Sequence, residues 1–228
     1  MKRHLKGLAL KQYKATLPKF NQRQKNIIVG TLLGDSTLLK SKAIKSLYSL
    51  KFEQQAKNKD YLDSIYNEFI DWSGSPPKFY IKECGFIKSY WFKTYGHRAF
   101  DFYANQFYAI NDETKDKTRD KTKKRKKVVP KLIHRWLNEE SLAYWYMDDG
   151  NKDKYGYVLN TQGFSLRDNE RLADALGKCF KFEVNIHKDN NYQTGKRGHR
   201  LYITARSRDN FTKVVKDYIL PSFKYKLF

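Results

Sequence analysis

Two stretches of this chain, IIVGTLLGDST at 27–37 and SLAYWYMDDGN at 141–151, repeat one pattern and leave little freedom in how the chain can fold. Each runs through apolar or small residues for about two helical turns, then reaches a carboxylate, Asp35 or Asp149, followed at once by Ser36 or Gly150. The last turn of a helix exposes unpaired carbonyls worth about half a negative charge, so an Asp there costs roughly 0.3–1 kcal/mol unless positive charge compensates. Hard carboxylate oxygens at two such ends suit a divalent cation, Mg²⁺ first and Mn²⁺ as an alternative. Gly30 and Gly34 lie four apart on one helix face, where missing side chains let a second helix approach closely. Two helices packed there would bring Asp35 and Asp149 together, with the adjoining Ser36 and Gly150 as further metal contacts. Taken singly, each motif also fits a buried helix with an exposed terminal Asp, or a helix stop with Gly150 in the left-handed cap conformation. The duplication favours a shared site.

Charge narrows the partner. The 228 residues carry 46 Lys and Arg against 24 Asp and Glu, a formal charge of +22, which is most readily explained by a polyanion. Hydrophobic residues at 40% and aromatics at 16% mark a folded chain rather than a basic tail. Cys84 and Cys179 stand alone and the five histidines form no paired ligand motif, so neither a zinc site nor a disulfide framework is expected. No apolar run approaches the roughly 18 residues of a membrane span, which argues for a soluble chain. The N-terminal MKRHLKGLALKQYK reads as a basic arm that touches phosphate. The abundance of Lys, Asn, Tyr, Phe and Ile suggests an AT-rich organelle gene, mitochondrial or chloroplast.

Residues 111–130 divide the chain. NDETKDKTRDKTKKRKK has no apolar residue, with nine basic and four acidic side chains, and reads as a mobile linker whose basic end follows a phosphate backbone. On either side the same order of elements is legible. Residues 1–110 give the first motif, an amphipathic hairpin through STLLKSK and SLYSLKFEQ, a helix from Asp60 to Trp72, a second hairpin through KFYIKE and SYWFKTY, and a helix around Phe100 to Phe107. Residues 131–228 repeat it: a strand in YGYVLNTQGF, a helix capped by Ser165, a hairpin through KFEVNIH and HRLYITA, and a last helix capped by Ser207. The expected fold is α+β, two pseudo-symmetric αββαββα halves whose antiparallel strands form a DNA-binding saddle.

IVGTLLGDS (28–36) and LAYWYMDDG (142–150) resemble the paired signature of the single-chain LAGLIDADG homing endonucleases, with Tyr144 where the family has glycine. VLNTQGF (158–164), the PPK at 76–78 and the terminal ILPSFKYKL (219–227) extend the resemblance over nearly the whole chain. It implies a site-specific endonuclease that cuts duplex DNA across the minor groove, leaves 3′ overhangs and works as a monomer. It also implies that Lys127 and Lys226 are the cations beside the reacting phosphates, with Glu53 and Gln162 the polar residues on the strands beneath them. A twisted ribbon fits the major groove, and the strands offer Lys40, Lys42, Lys45, Lys51, Gln54, Lys78, Tyr80, Lys82, Lys88 and Lys93 from the first half. Asn185, His187, Lys196, Arg197 and Arg200 come from the second, and Lys123, Lys124 and Arg125 from the linker. Most of these would touch phosphate rather than bases. Because the halves differ, the DNA site should be long and asymmetric. Two alternatives use the same basic surface: an intron RNA maturase of this family, and a basic structural RNA-binding protein, which leaves the duplicated Asp unexplained.

Overall fold

A computed structural model describes residues 5–41, 47–110, 125–190 and 197–228. After a short helix α1 (Gly7–Ala15) the chain runs α2 (Gln22–Leu33), β1 (Thr37–Lys40), β2 (Tyr48–Gln55), α3 (Lys59–Glu68), β3 (Lys78–Ile81), β4 (Ile87–Lys93) and α4 (Asp101–Phe107). A ribbon of β5 (Tyr108–Ile110) and β6 (Arg125–Lys127) follows. The second half is α5 (Glu139–Asp149), β7 (Gly150–Lys152), β8 (Tyr157–Leu159), α6 (Leu166–Phe180), β9 (Val184–Asn190), β10 (Arg197–Ile203) and α7 (Arg208–Val215), closing in a 3-10 segment, Pro221–Lys226. The expected αββαββα order appears twice. The two four-stranded sheets share one antiparallel order, β1-β2-β4-β3 and β7-β8-β10-β9.

The two motif helices form the axis of the molecule. Asn21 caps α2 and Asn138 caps α5, each accepting from a backbone N–H three residues on and each answered by the side chain there, Gln24 or Ser141. Asn26 Nδ2 donates to Glu140 across the pair at 2.7 Å, and Asn138 Nδ2 donates to Asn26 at 2.9 Å, which fixes the register at these ends. Further along, Gly30 has no room for a side chain: a Cβ would lie 2.3 Å from the carbonyl of Ser141 and 2.8 Å from the Cβ of Tyr144. One glycine is enough, since Tyr144 is itself buried and its ring lies against Tyr61. Nearly every residue of both helices after the first turn is buried, because the helices pack on each other within the hydrophobic core shared with the sheets. On β2 the alternation puts Tyr48, Leu50, Phe52 and Gln54 inward.

Two local expectations change, and one alternative fails. Gly150 is not a left-handed cap; its backbone is extended (φ −93°, ψ 154°), and it begins β7. Glycine is required there because a Cβ would strike the Tyr146 ring at 2.0 Å. Ser207 does not cap α7; its hydroxyl accepts from the Glu183 N–H instead, tying the helix to β9. The segment 125–130 is not linker: Arg125–Lys127 pair with β5, and Val129 and Pro130 are buried. Residues 111–124 lie outside the described residues. Ser165 does cap α6, accepting from the Asp168 N–H. The supposed basic arm is in part the helix α1, which lies against the first half through Tyr13 and Tyr95. No helix among the described residues is long and apolar enough to cross a membrane.

Candidate active site

The C-terminal ends of α2 and α5 meet, and three carboxylates gather there rather than two. The Asp148 carboxylate reaches across to the other helix. Its Oδ2 accepts the backbone N–H of Asp35 at 3.1 Å, and its Oδ1 accepts from Gln54 Nε2 at 2.9 Å. Gln54 Nε2 also donates to Asp35 Oδ2 at 3.2 Å. Gln54, expected to face the groove, therefore points the other way, because its position on β2 has the parity of Leu50 and Phe52. Sequence reasoning misses Asp148, although the doubled carboxylate of DDG marks it.

Lys127 and Lys226 arrive from distant segments at the two helix ends. Lys127 Nζ donates to the carbonyls of Gly34 at 2.8 Å and Ser36 at 3.0 Å. Lys226 Nζ donates to the carbonyl of Met147 at 2.8 Å. Each ammonium thus compensates the unpaired carbonyls of one motif helix. Burial pushes the pKa of both lysines down, against the pull of Asp35, Asp148 and Asp149.

The carboxylates move the other way. Burial, then the neighbouring Asp35, raises Asp149 to about 7. Burial also raises Asp35, opposed by the Gln54 hydrogen bond and both lysines; although the residue is open to solvent, its carboxylate faces the cluster. Asp148 lies well above the usual range, from burial first and then the charges of Asp35 and Asp149. Such crowding favours a bound cation. The lysines answer it only partly, since their hydrogen bonds go to carbonyls. Among the described residues no three His, Cys, Asp or Glu side chains form a ready metal cluster, so a hard cation held by Asp35 and Asp149 would complete its shell with water or phosphate oxygens. The donor chemistry fits Mg²⁺ or Mn²⁺.

Other expected contacts are placed differently. The Ser36 hydroxyl is buried and donates to Thr31 Oγ1 at 3.0 Å, so it does not join the metal set. Gly150 pairs with Leu159 in the sheet. Glu53 lies beside the cleft on β2, accepting from Lys51 at 2.6 Å and Ser89 at 2.7 Å. Burial pushes its pKa up, but those bonds, with the charges of Lys51 and Lys88, hold it below the ordinary value. Gln162 is exposed and donates to Asp189 at 2.6 Å and to Asn160 Oδ1 at 3.4 Å, with no bond to Asp149 itself. Its place is taken by Asn160, which donates to the Asp149 carbonyl at 2.8 Å. Strand register explains this: Thr37 opposite Lys51 corresponds to Asn151 opposite Val158, so Glu53 corresponds to Asn160 and not to Gln162.

Several of the remaining candidate residues lie on the outward faces of the sheets. Lys51, Lys78, Lys93 and Tyr80 share one face in the strand register. Tyr80 stacks on Trp91 at 5.6 Å, and the Lys51 ammonium sits 5.5 Å from each ring centroid. Lys82 and Lys88 are exposed nearby. Lys40 ends β1 on the opposite parity, sharing the Tyr48 ring with Arg125. In the second sheet Asn185 and His187 are exposed on β9, and Arg200 lies opposite His187. Arg197 stands opposite Asn190 at the start of β10. Lys42, Lys45, Lys123, Lys124 and Lys196 lie outside the described residues.

The sequence profile of the LAGLIDADG DNA endonuclease family matches residues 25–211. The chain belongs to this family. Its similarity to a probable intron-encoded endonuclease 1 of Wickerhamomyces canadensis is 30% identity, covering 96% of this chain and 89% of that protein. The homing endonuclease I-WcaI, solved bound to its DNA recognition sequence, superposes with a TM-score of 0.80 at 29% identity, covering 97% of this chain and 93% of that one. A cytochrome b mRNA maturase bI2 of Saccharomyces cerevisiae is 29% identical over 89% of this chain and 46% of its own length.

Proposed function

We propose that this LAGLIDADG chain is a site-specific homing endonuclease that makes a staggered double-strand cut, with 3′ overhangs, in a long asymmetric DNA site. The observation that carries the reading is the meeting of Asp35 and Asp149 at adjoining helix ends, each end bearing its own anchored lysine, beside a first sheet whose outward face carries Lys51, Lys78 and Lys93. A divalent cation held by the two carboxylates would supply a Lewis acid and an activated water beside each scissile phosphate. Lys127 and Lys226 hold ammonium charge beside the same carboxylates, where it offsets charge building on phosphoryl oxygens. Lys51, Lys78 and Lys93 hold the duplex by its phosphates, and Tyr80 with Trp91 offers a flat apolar surface among them. The protein acts as a monomer, because one chain supplies both halves. The names of its relatives and its Lys- and Asn-rich composition support an organelle intron as its source.

Intron RNA maturation is the second reading, favoured by the likeness to the bI2 maturase. Cleavage separates the two. A plasmid carrying the uninterrupted insertion sequence of the encoding intron should be linearised with Mg²⁺ and left intact with EDTA. Asp35→Asn or Asp149→Asn should abolish cutting while binding stays within about tenfold, roughly 1.4 kcal/mol. Full cutting by either variant would remove these carboxylates from the chemistry.

A further inference from the structure

The residue before the terminal carboxylate differs between the halves, Gly34 in one and Asp148 in the other. These positions meet across the helix pair: a Cβ on Gly34 would lie 2.5 Å from both Cβ and Oδ2 of Asp148. Only one can carry a side chain, so the contact is asymmetric by construction. Asp148 uses it to grip the first half, accepting the Asp35 N–H at 3.1 Å and the Gln54 amide at 2.9 Å, and that same amide donates to Asp35 Oδ2. The amide oxygen of Gln54 is in turn held by Asn58 Nδ2 at 3.3 Å.

The second half has no equivalent among the described residues. Strand register puts Thr161 where the first half has Gln54, and its hydroxyl is committed to Asn169 and to the His199 carbonyl. Among the described residues no hydrogen-bond donor reaches the Asp149 carboxylate. The bonds of Asn160 to Asp149 go to its backbone carbonyl and leave its carboxylate untouched.

We infer that Asp148 is a positioning residue which, through Gln54, fixes the Asp35 carboxylate while Asp149 stays free, and that the two cleavage centres therefore work at unequal rates, the centre of Asp35 being faster. The physical ground is preorganisation: a ligand already held in place loses less freedom on reaching the reactive geometry. This inference rests on the endonuclease reading, and its test separates the two. A duplex carrying the insertion sequence, labelled with a different dye on each strand, is cut under single-turnover conditions with saturating protein and Mg²⁺.

The parent protein should cut both strands, one several-fold faster. Gln54→Ala and Asp148→Ala should each slow the faster strand at least tenfold and the other less than threefold. Combining them should add little, because the two side chains act as one unit. Gln54 lies on a strand at the cleft edge, so its variant keeps the test alive where loss of Asp148 disturbs the helix pair. Equal slowing of both strands, no slowing, or slowing of the slower strand would overturn the inference while leaving the endonuclease reading in place. A duplex left uncut by the parent protein would overturn the endonuclease reading and the inference with it.

Discussion

Asp149 carries a cost that its function would repay. A carboxyl at about 7 in the folded protein, against about 3.9 in an unfolded chain, holds its proton more tightly in the native state. Stability from this group is therefore present at low pH and lost as pH rises from about 4 through about 7. In the metal-free protein at pH 8, Asp149→Asn should raise stability by about 1 kcal/mol or more, read from urea unfolding. Mg²⁺ should stabilise the parent protein more than this variant, since binding to the folded state alone shifts the equilibrium. A variant no more stable than its parent at pH 8 would show that the carboxylate is relieved by other means. Lys127 invites a kinetic measurement. Replacing it with Met should slow cleavage about 10²-fold with little change in binding, whereas Lys178→Met, exposed on α6 beside Asp174, should do neither. Indistinguishable behaviour would assign Lys127 to the helix end alone.

At the scale of elements, the contact between α2 and α5 decides where every site residue falls. Gly30→Ala gains some helix propensity, about 1 kcal/mol, but the new Cβ meets the backbone of Ser141 at 2.3 Å. Neither helix can yield without moving its carboxylate, so a net loss of about 1–3 kcal/mol is expected, with a larger loss of cleavage than of binding. A Gly30→Ala variant as stable and active as its parent would mean that the helices separate easily. The elements themselves were largely legible in the chain: the alternation in YSLKFEQ and the 3.6-residue spacing of Leu62, Ile65 and Phe69 each describe one face of one element. Caps were less so. Ser165 and Ser207 look alike in sequence, yet the second hydroxyl is taken by the Glu183 N–H, a partner 24 residues away.

Across the whole molecule, a net charge of +22 and the lysines on the outward face of the first sheet should make DNA binding strongly salt-dependent. Log affinity is expected to fall against log salt with a slope steeper than about −5, since each neutralised phosphate releases nearly one counterion. A slope near −1 or −2, measured by fluorescence anisotropy, would mean that few of these lysines touch phosphate. The sequence by itself determined the duplicated αββαββα architecture, the pairing of Asp35 with Asp149, and the basic partner surface, because periodicity, repetition and net charge are properties of the chain. The resemblance of YKL and of the segment before Pro130 also marked Lys226 and Lys127, which tertiary structure brings to the helix ends. Only that structure decided which way a side chain faces and what it meets. It turned Gln54 into the cluster, sent Ser36 back to Thr31, put Asn160 rather than Gln162 beside Asp149, and gave Asp148 the space left by Gly34. The Ser36 contact is local, five residues long; the other three outcomes depend on strand register or on contact between helices more than 100 residues apart in the chain, and neither is written in local spacing.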